Sequence, residues 1–243
     1  MTHKTKGIVL RSIKYGETSL VVTIYTELFG IQTYMVNGVR TSKKSAAKAN
    51  HFQPTAILDM IVYHNENKQM QRIKEFSWAV LYTHLLSDVV KNSVASFMAE
   101  LIHKCLKQPE PNIDLFDFCL ESFCELDKAD KTTTANFTLF FTLHFTHFFG
   151  FRMTDNYSSN NLVLDLQEGV FIDHQPIHPY FIEGNYAELT AQLLKVQQPA
   201  ELNDFKLNQE IRRGLLTRYL EYYALHIPDF GQMKTLMVLH EVL

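Results

Sequence analysis

The sequence predicts an α+β fold: a five-stranded β-barrel over residues 1–76, then a mainly α-helical domain over 77–243 with a small β-hairpin near 162–172. Three observations predict it. Short β-branched runs separated by turn residues recur up to Phe76; apolar residues recur at helical spacing after it; and the charge changes sign at the same place. Through Glu75 the chain holds eleven Lys/Arg against five Asp/Glu, a balance of +6, and the remainder holds twelve against twenty-one, or −9. The formal net charge of −3 therefore conceals two opposite surfaces, and the basic one offers a polyanion a place to bind by counterion release.

The first strand runs from Lys6 to Lys14 through Ile8, Val9, Leu10 and Ile13 and stops at the turn Tyr15-Gly16-Glu17. The second, Thr18 to Thr26, is β-branched over Val21, Val22, Thr23 and Ile24 and turns at Phe29-Gly30. In the third, Ile31 to Asn37, Gln32, Tyr34 and Val36 alternate with Ile31, Thr33, Met35 and Asn37. A polar connection from Arg40 to Asn50 leads to a fourth strand, Ala56–Tyr63, and the turn 64–68 leads to a fifth, Gln69–Phe76. Five short antiparallel strands in so few residues fit a Greek-key barrel of the OB type, which holds single strands in a groove between its loops.

The connection is the sharpest functional feature. Arg40, Lys43, Lys44 and Lys48 fall within nine residues with no acid among them, on a Ser- and Ala-rich segment able to follow a phosphate backbone. The same run also reads as a solvated loop. Tyr15, Tyr25 and Tyr34 are candidates to stack on bases and equally candidates to pack into the barrel.

From Ser77 the spacing becomes helical. Trp78, Leu81, Leu85 and Val89 predict a helix over 77–90; Phe97, Leu101, Ile102 and Cys105 a second over 93–106; Phe116, Leu120, Phe123 and Cys124 a third over 113–126, after the break Pro109–Asp114. Residues 132–149 are apolar nearly all round, with six phenylalanines, and read as a buried central helix. The hairpin, at 162–166 and 169–172, precedes helices over 187–196, 208–226 and 233–243.

Metal and catalytic patterns are weak. His144 and His147 lie at i and i+3 without a third ligand, so core histidines suit them better than a metal; His174, His178 and Asp173 share a proline-bounded loop that carries histidines for its turns. The three cysteines form no CxxC pair, and Cys119 and Cys124 read as helix-packing residues. A phosphate-binding glycine loop, a nucleophile elbow and a paired-carboxylate motif are all missing from the sequence, so a non-enzymatic protein without cofactor is expected. Arg212, Arg213 and Arg218 form a second basic cluster suited to ion pairing or to an acidic partner. The opening residues lack the apolar core of a secretory signal and no run is long enough to cross a membrane, so a cytoplasmic, nucleoid-associated protein is expected.

The stretch Gly7-Ile-Val-Leu-Arg-Ser-Ile-Lys-Tyr-Gly-Glu-Thr-Ser-Leu20, with Tyr25-Thr-Glu-Leu-Phe-Gly30 and Val36-Asn-Gly-Val-Arg40, closely resembles the N-terminal barrel of the bacterial recombination mediator family RecO. The match rests mostly on Glu17, Thr26, Gly30, Gly38 and Arg40, and it extends more generically through the body to the ending Met233–Leu243. The resemblance implies binding of single- and double-stranded DNA, annealing of complementary strands, and action with RecR. It also implies engagement of the C-terminal tail of single-stranded DNA-binding protein, so that RecA loads. One departure stands out: many members carry two CxxC pairs as a zinc module after the central helix, whereas residues 152–171 hold no cysteine, so no metal is expected and the hairpin takes the module's place.

On this reading the DNA contacts are Arg40, Lys43, Lys44 and Lys48, extended by Arg11, Lys14, Arg72 and Lys74. For the acidic tail, Lys131 and Arg152 flank the Phe-rich helix as candidate partner contacts. Two other readings stay open on the residues alone, an RNA-binding OB protein and a protein-interaction scaffold whose basic loop meets acidic partners.

Overall fold

Five strands close into a barrel in the computed structural model, which describes residues 1–39 and 48–243. They are β1 (Thr2–Tyr15), β2 (Ser19–Thr26), β3 (Gly30–Val36), β4 (Ile57–Tyr63) and β5 (Gln71–Trp78), joined in the order β1-β2-β3-β5-β4 with β4 pairing back onto β1. This is the OB-type barrel the sequence predicts. Strand β1 starts four residues earlier than its apolar run because Thr2–Thr5 pair with Tyr63–Met60 of β4. The β3–β5 seam corrects the expectation of antiparallel strands throughout: Tyr34 faces Gln71 and Met35 faces Arg72 in a parallel pair. Parallel pairing follows because the chain crosses from β3 to β4 and returns antiparallel along β5, closing beside β3 in the same direction.

Alternation decides what faces inward. Val9, Val22, Ile24, Tyr34, Leu58 and Val62 fill the interior with no exposure, each such burial contributing about 1.5–3 kcal/mol. Tyr25 points the other way, under helix α2 (Ile113–Lys128): its hydroxyl donates to the Asn112 carbonyl at 3.1 Å and its ring meets Phe116 at 5.5 Å. Tyr25 and Tyr34 are therefore packing residues, and Tyr15 is the exposed member of the three.

The helix expected over 77–90 is absent. Ser77 and Trp78 finish β5, the chain then turns irregularly, and helix α1 begins at Val89 and ends at Cys105. The buried Asp127 carboxylate accepts the backbone N–H of Thr83 at 2.9 Å, His84 at 2.8 Å and Leu85 at 2.6 Å, giving this segment hydrogen bonds that a helix would otherwise supply. Leu81 and Val89 of the presumed apolar face are 77% and 68% exposed. Asp88 caps α1 by accepting from Val90 and Lys91, and the buried Lys91 ammonium donates to the Asp127 carbonyl at 2.7 Å. Cys105 and Cys119 are buried, and burial raises both thiols well above their ordinary range.

The chain divides into the units Met1–Asp127 and Lys128–Leu243. The second is built on helix α3 (Lys131–Phe145), buried nearly all round as its composition predicts. Its threonines tolerate burial by bonding back to the helix, as Thr142 does to the Thr138 carbonyl at 2.6 Å. Asn136 ties it to the short turn Pro199–Asp204 through the Leu202 and Phe205 carbonyls, and Tyr223 donates to the Thr142 carbonyl at 2.7 Å. The expected hairpin is β6 (Val163–Asp165) with β7 (Val170–Ile172), joined by a third strand, β8 (Phe181–Ile182), on the other edge of β6. Two residues are too few for alternation to reveal β8 in the sequence. Helices α4 (Asn185–Leu194), α5 (Gln209–His226) and α6 (Thr235–Val242) complete the unit.

Candidate nucleic-acid interface

The cations named from the sequence fall in separate places. Arg40, Lys43 and Lys44 lie outside the described residues; Lys48 is exposed just ahead of the turn Asn50–Phe52. Strand β1 carries a bulge between Val9 and Arg11, after which Ser12 pairs with Val22 and Lys14 with Leu20. Partners across an antiparallel pair share a face, so the bulge turns Ser12 and Lys14 toward the barrel's inner side at its open end. There they line a cavity of about 450 Å³ with Leu20, Asn50, Phe52 and Gln53. Lys14 and the segment following Lys48 thus meet at one mouth.

Arg11 stands on the opposite face, where its charge acts on His103 of α1. Arg72 lines a smaller cavity of about 370 Å³ with Met35, Tyr63 and Lys68. Lys74 lies 3.5 Å from the Glu75 carboxylate, which offsets its charge.

A larger groove, of about 1020 Å³, lies over the outer side of β2 and β3. Thr23, Ile31 and Thr33 form its floor. One wall is the β4–β5 connection, with His64, Glu66 and Lys68, and the other is the chain leaving α1, with His103, Lys107, Pro109 and Pro111. At one end Phe29 stacks on His64 with ring centroids 3.9 Å apart, and His3 meets Phe29 edge-on at 5.3 Å. Lys68 and Lys107 are exposed and make no ion pair among the described residues.

Both walls are held in place. The buried Gln71 donates to the Asn65 and Lys68 carbonyls at 2.9 and 2.7 Å and accepts from the Asn65 N–H at 3.0 Å, fixing the curl of the β4–β5 connection. Gly30, at φ 62°, lies so close to the Glu110 backbone that a Cβ would overlap it. Burial, with the Arg11, Lys107 and Lys104 charges, lowers His103, and burial lowers His64 against the pull of Glu66, so both imidazoles are neutral near pH 7 and the lysines and Arg11 carry the positive charge. This arrangement can neutralise a phosphate chain along two sides and offers a ring surface at one end.

Lys68, Lys107 and His103 escaped the sequence reading, which weighed local density of charge. A signal was present in His103-Lys104 followed by Lys107 two residues before Pro109, a basic helix end at a chain break.

In the other unit, Lys131 opens α3 and Arg152 follows the turn Thr146–Phe148 beyond its far end; both are exposed. The Arg152 charge, after burial, lowers His147, and burial followed by the neighbouring His147 lowers His144 to about 4. His174 sits on Asp173 at 2.6 Å whereas His178 turns to Asp165 at 3.3 Å, so the two loop histidines do not share a ligand position. Among the described residues no group of three or more His, Cys, Asp and Glu side chains is placed to hold a metal ion, and no helix is long and apolar enough to cross a membrane. Arg218 is spent on Glu221 and the Phe181 carbonyl, apart from Arg212 and Arg213.

Comparison with known proteins agrees with this architecture. Residues 1–82 match the family described as Recombination protein O N terminal, and residues 86–235 match Recombination protein O C terminal. DNA repair protein RecO of Christiangramia forsetii is 35% identical over 238 residues, 98% of either chain. DNA repair proteins RecO of Bacteroides fragilis and Azobacteroides pseudotrichonymphae are 33% and 31% identical, each alignment covering 100% of this chain and 99% of the relative. A closed OB-type barrel with a groove between basic walls, a helical second unit and matches to both halves of one family lead to one assignment: the chain belongs to the RecO family.

Proposed function

We propose that this DNA repair protein acts as a recombination mediator. It binds single- and double-stranded DNA on the barrel, promotes annealing of complementary strands, and helps load the recombinase RecA onto DNA coated by single-stranded DNA-binding protein. The observation that carries the reading is the 1020 Å³ groove over β2 and β3, with Lys68 and Lys107 on facing walls and Arg11 beside His103. Arg40, Lys43, Lys44, Lys48, Lys14, Arg72 and Lys74 are proposed as further DNA contacts. Cations on two walls offset the repulsion between phosphate chains while base pairing selects the sequence, so no covalent step and no cofactor enter. In this proposal residues 1–76 with the end of α1 serve DNA, and residues 77–243 otherwise serve RecR and the tail of single-stranded DNA-binding protein, in the cytoplasm at the nucleoid.

The test is a salt series of single-stranded DNA binding by fluorescence anisotropy, for wild type and Lys68→Gln/Lys107→Gln. Each lysine that no longer meets a phosphate flattens the slope of log K against log[salt] by roughly 0.7, so the slope of the double variant should be shallower by about 1.4. An unchanged slope, with folding intact, removes the groove as the binding site. Tighter binding of RNA of equal sequence would turn the reading to an RNA-binding protein.

A further inference from the structure

The cavity of about 370 Å³ shares His64, Lys68 and Gln71 with the larger groove, so the β4–β5 connection borders both. Arg72 stands between Tyr63 and Met35 in one row across three strands: Tyr63 pairs with it from β4 and Met35 from β3. Cross-strand partners share a face, so the guanidinium, the phenol ring and the thioether are presented together. Tyr63 is 47% exposed and Met70, which also lines the cavity, 40%; Lys68 and Arg72 are both open to solvent. Neither cation makes an ion pair among the described residues, and no aspartate or glutamate lines the cavity. The Gln71 amide is occupied by the backbone of Asn65 and Lys68, which sets the course of the connection before any ligand arrives.

Volume, charge and lining favour one kind of ligand. The cavity lies at the small end of the range for small-molecule sites, roughly 300–1,000 Å³, so it suits one nucleotide and not a length of strand. A phosphate diester inside a strand carries one negative charge, whereas a terminal monoester carries about 1.5 to 2 at pH 7. Two unpaired cations with no acid beside them match the monoester, and a guanidinium grips phosphate through two parallel hydrogen bonds. The Tyr63 ring offers a base a face to stack on, and the sulfurs of Met35 and Met70 add polarizable contact that adapts to any base.

We propose that this cavity receives the terminal nucleotide of a DNA strand, its phosphate monoester held by Lys68 and Arg72 and its base against Tyr63, Met35 and Met70. Lys68 borders both sites, so a strand lying in the groove reaches the cavity without leaving the protein. The inference rests on the reading of the groove as the DNA site. It gives the protein a means to tell a strand end from a strand interior, which a row of cations along a groove does not supply.

The probe is an internally labelled single-stranded oligonucleotide with a 5′ phosphate, a 3′ phosphate or hydroxyls at both ends, titrated with the full chain. One phosphorylated form should bind roughly three- to tenfold more tightly than the hydroxyl form, the weight of charge-assisted contacts at an exposed site. Arg72→Gln should abolish that gain and Arg72→Lys restore part of it. An abasic terminal nucleotide should weaken binding by wild type and make no difference to Tyr63→Leu, a second variant that keeps the site testable if Arg72→Gln fails to fold. Millimolar deoxyadenosine monophosphate should erase the phosphate gain while the hydroxyl form stays bound. Equal affinity of wild type for the three oligonucleotides, or a gain that survives in folded Arg72→Gln, overturns the site. Tight binding of the free nucleotide with no gain on DNA would make the cavity a free-nucleotide site and overturn the strand end, and inorganic phosphate competing as well as the nucleotide would overturn the base contact. Lys107→Gln, on the groove's other wall, should weaken all three oligonucleotides and keep their ratio. Because the salt slope reports the groove and the ratio reports the cavity, failure of one and failure of the other are separate results.

Discussion

Replacing Asp127 with Asn should melt the segment between the barrel and α1 and lower the stability of the whole Met1–Asp127 unit. The carboxylate accepts three backbone N–H groups at 2.6–2.9 Å, from Thr83, His84 and Leu85. An asparagine retains one acceptor oxygen and turns an NH₂ toward N–H donors, so at least one bond becomes a clash and one donor is left buried. Hydrogen bonds to a charged group contribute about 1.5–3 kcal/mol each, and they share one carboxylate and are not additive, so the expected loss is about 3–5 kcal/mol. For a unit of this size that corresponds to a fall in Tm of roughly 10–20 °C. Burial opposes ionisation of Asp127, but the Thr83, His84 and Leu85 N–H groups and the Lys91 charge together hold its carboxyl below the ordinary value of 3.8. Because the folded value is the lower one, the stabilisation is complete above the ordinary value and fades as pH falls through the folded one. The assay is thermal denaturation by circular dichroism from pH 2.5 to 7, with limited proteolysis mapped over residues 79–88. A variant melting within about 3 °C of wild type at pH 7, or one keeping the wild-type acid dependence below pH 4, would refute the reasoning.

Further outcomes follow from the same geometry. Gln71→Leu should release the β4–β5 connection and weaken single-stranded DNA binding several-fold with its salt slope retained, since the loop's charges stay while their positions loosen; anisotropy across salt measures both. Gly30→Ala should cost about 2 kcal/mol or more, from a side chain at positive φ and the overlap with Glu110, read as a shift in the urea midpoint. Burial, then the His147 charge, lowers His144 to about 4 from its ordinary 6.5, so the Lys128–Leu243 unit should lose stability as pH falls from 6.5 toward 4. His144→Phe should flatten that part of the profile, and an unchanged profile would assign the loss to another group.

The barrel was legible in the sequence because each strand is short, β-branched and bounded by glycine or polar turns, and because burial on one face imposes a period of two. The central helix was legible for the opposite reason: an apolar surface all round has nowhere to go but inside. What stayed hidden depended on single distant contacts. Residues 77–90 have helical spacing, but Asp127, more than forty residues downstream, captures the N–H groups of Thr83, His84 and Leu85. The facing of Arg11 and Lys14 was undecidable because one bulge reverses the alternation within β1. The groove pairs Lys68 with Lys107 across a gap in sequence that no local charge count spans.

The stacking of Trp78 on His51, ring centroids 4.4 Å apart, has a practical use. Trp78 is the chain's one tryptophan, and His51 stands three residues past Lys48, at the end of the basic connection. Its emission is therefore a built-in optical gauge of that stretch, read without a dye. Oligonucleotide docking at the barrel mouth should change the quantum yield of this one indole, whereas a ligand held in the second unit should leave it constant.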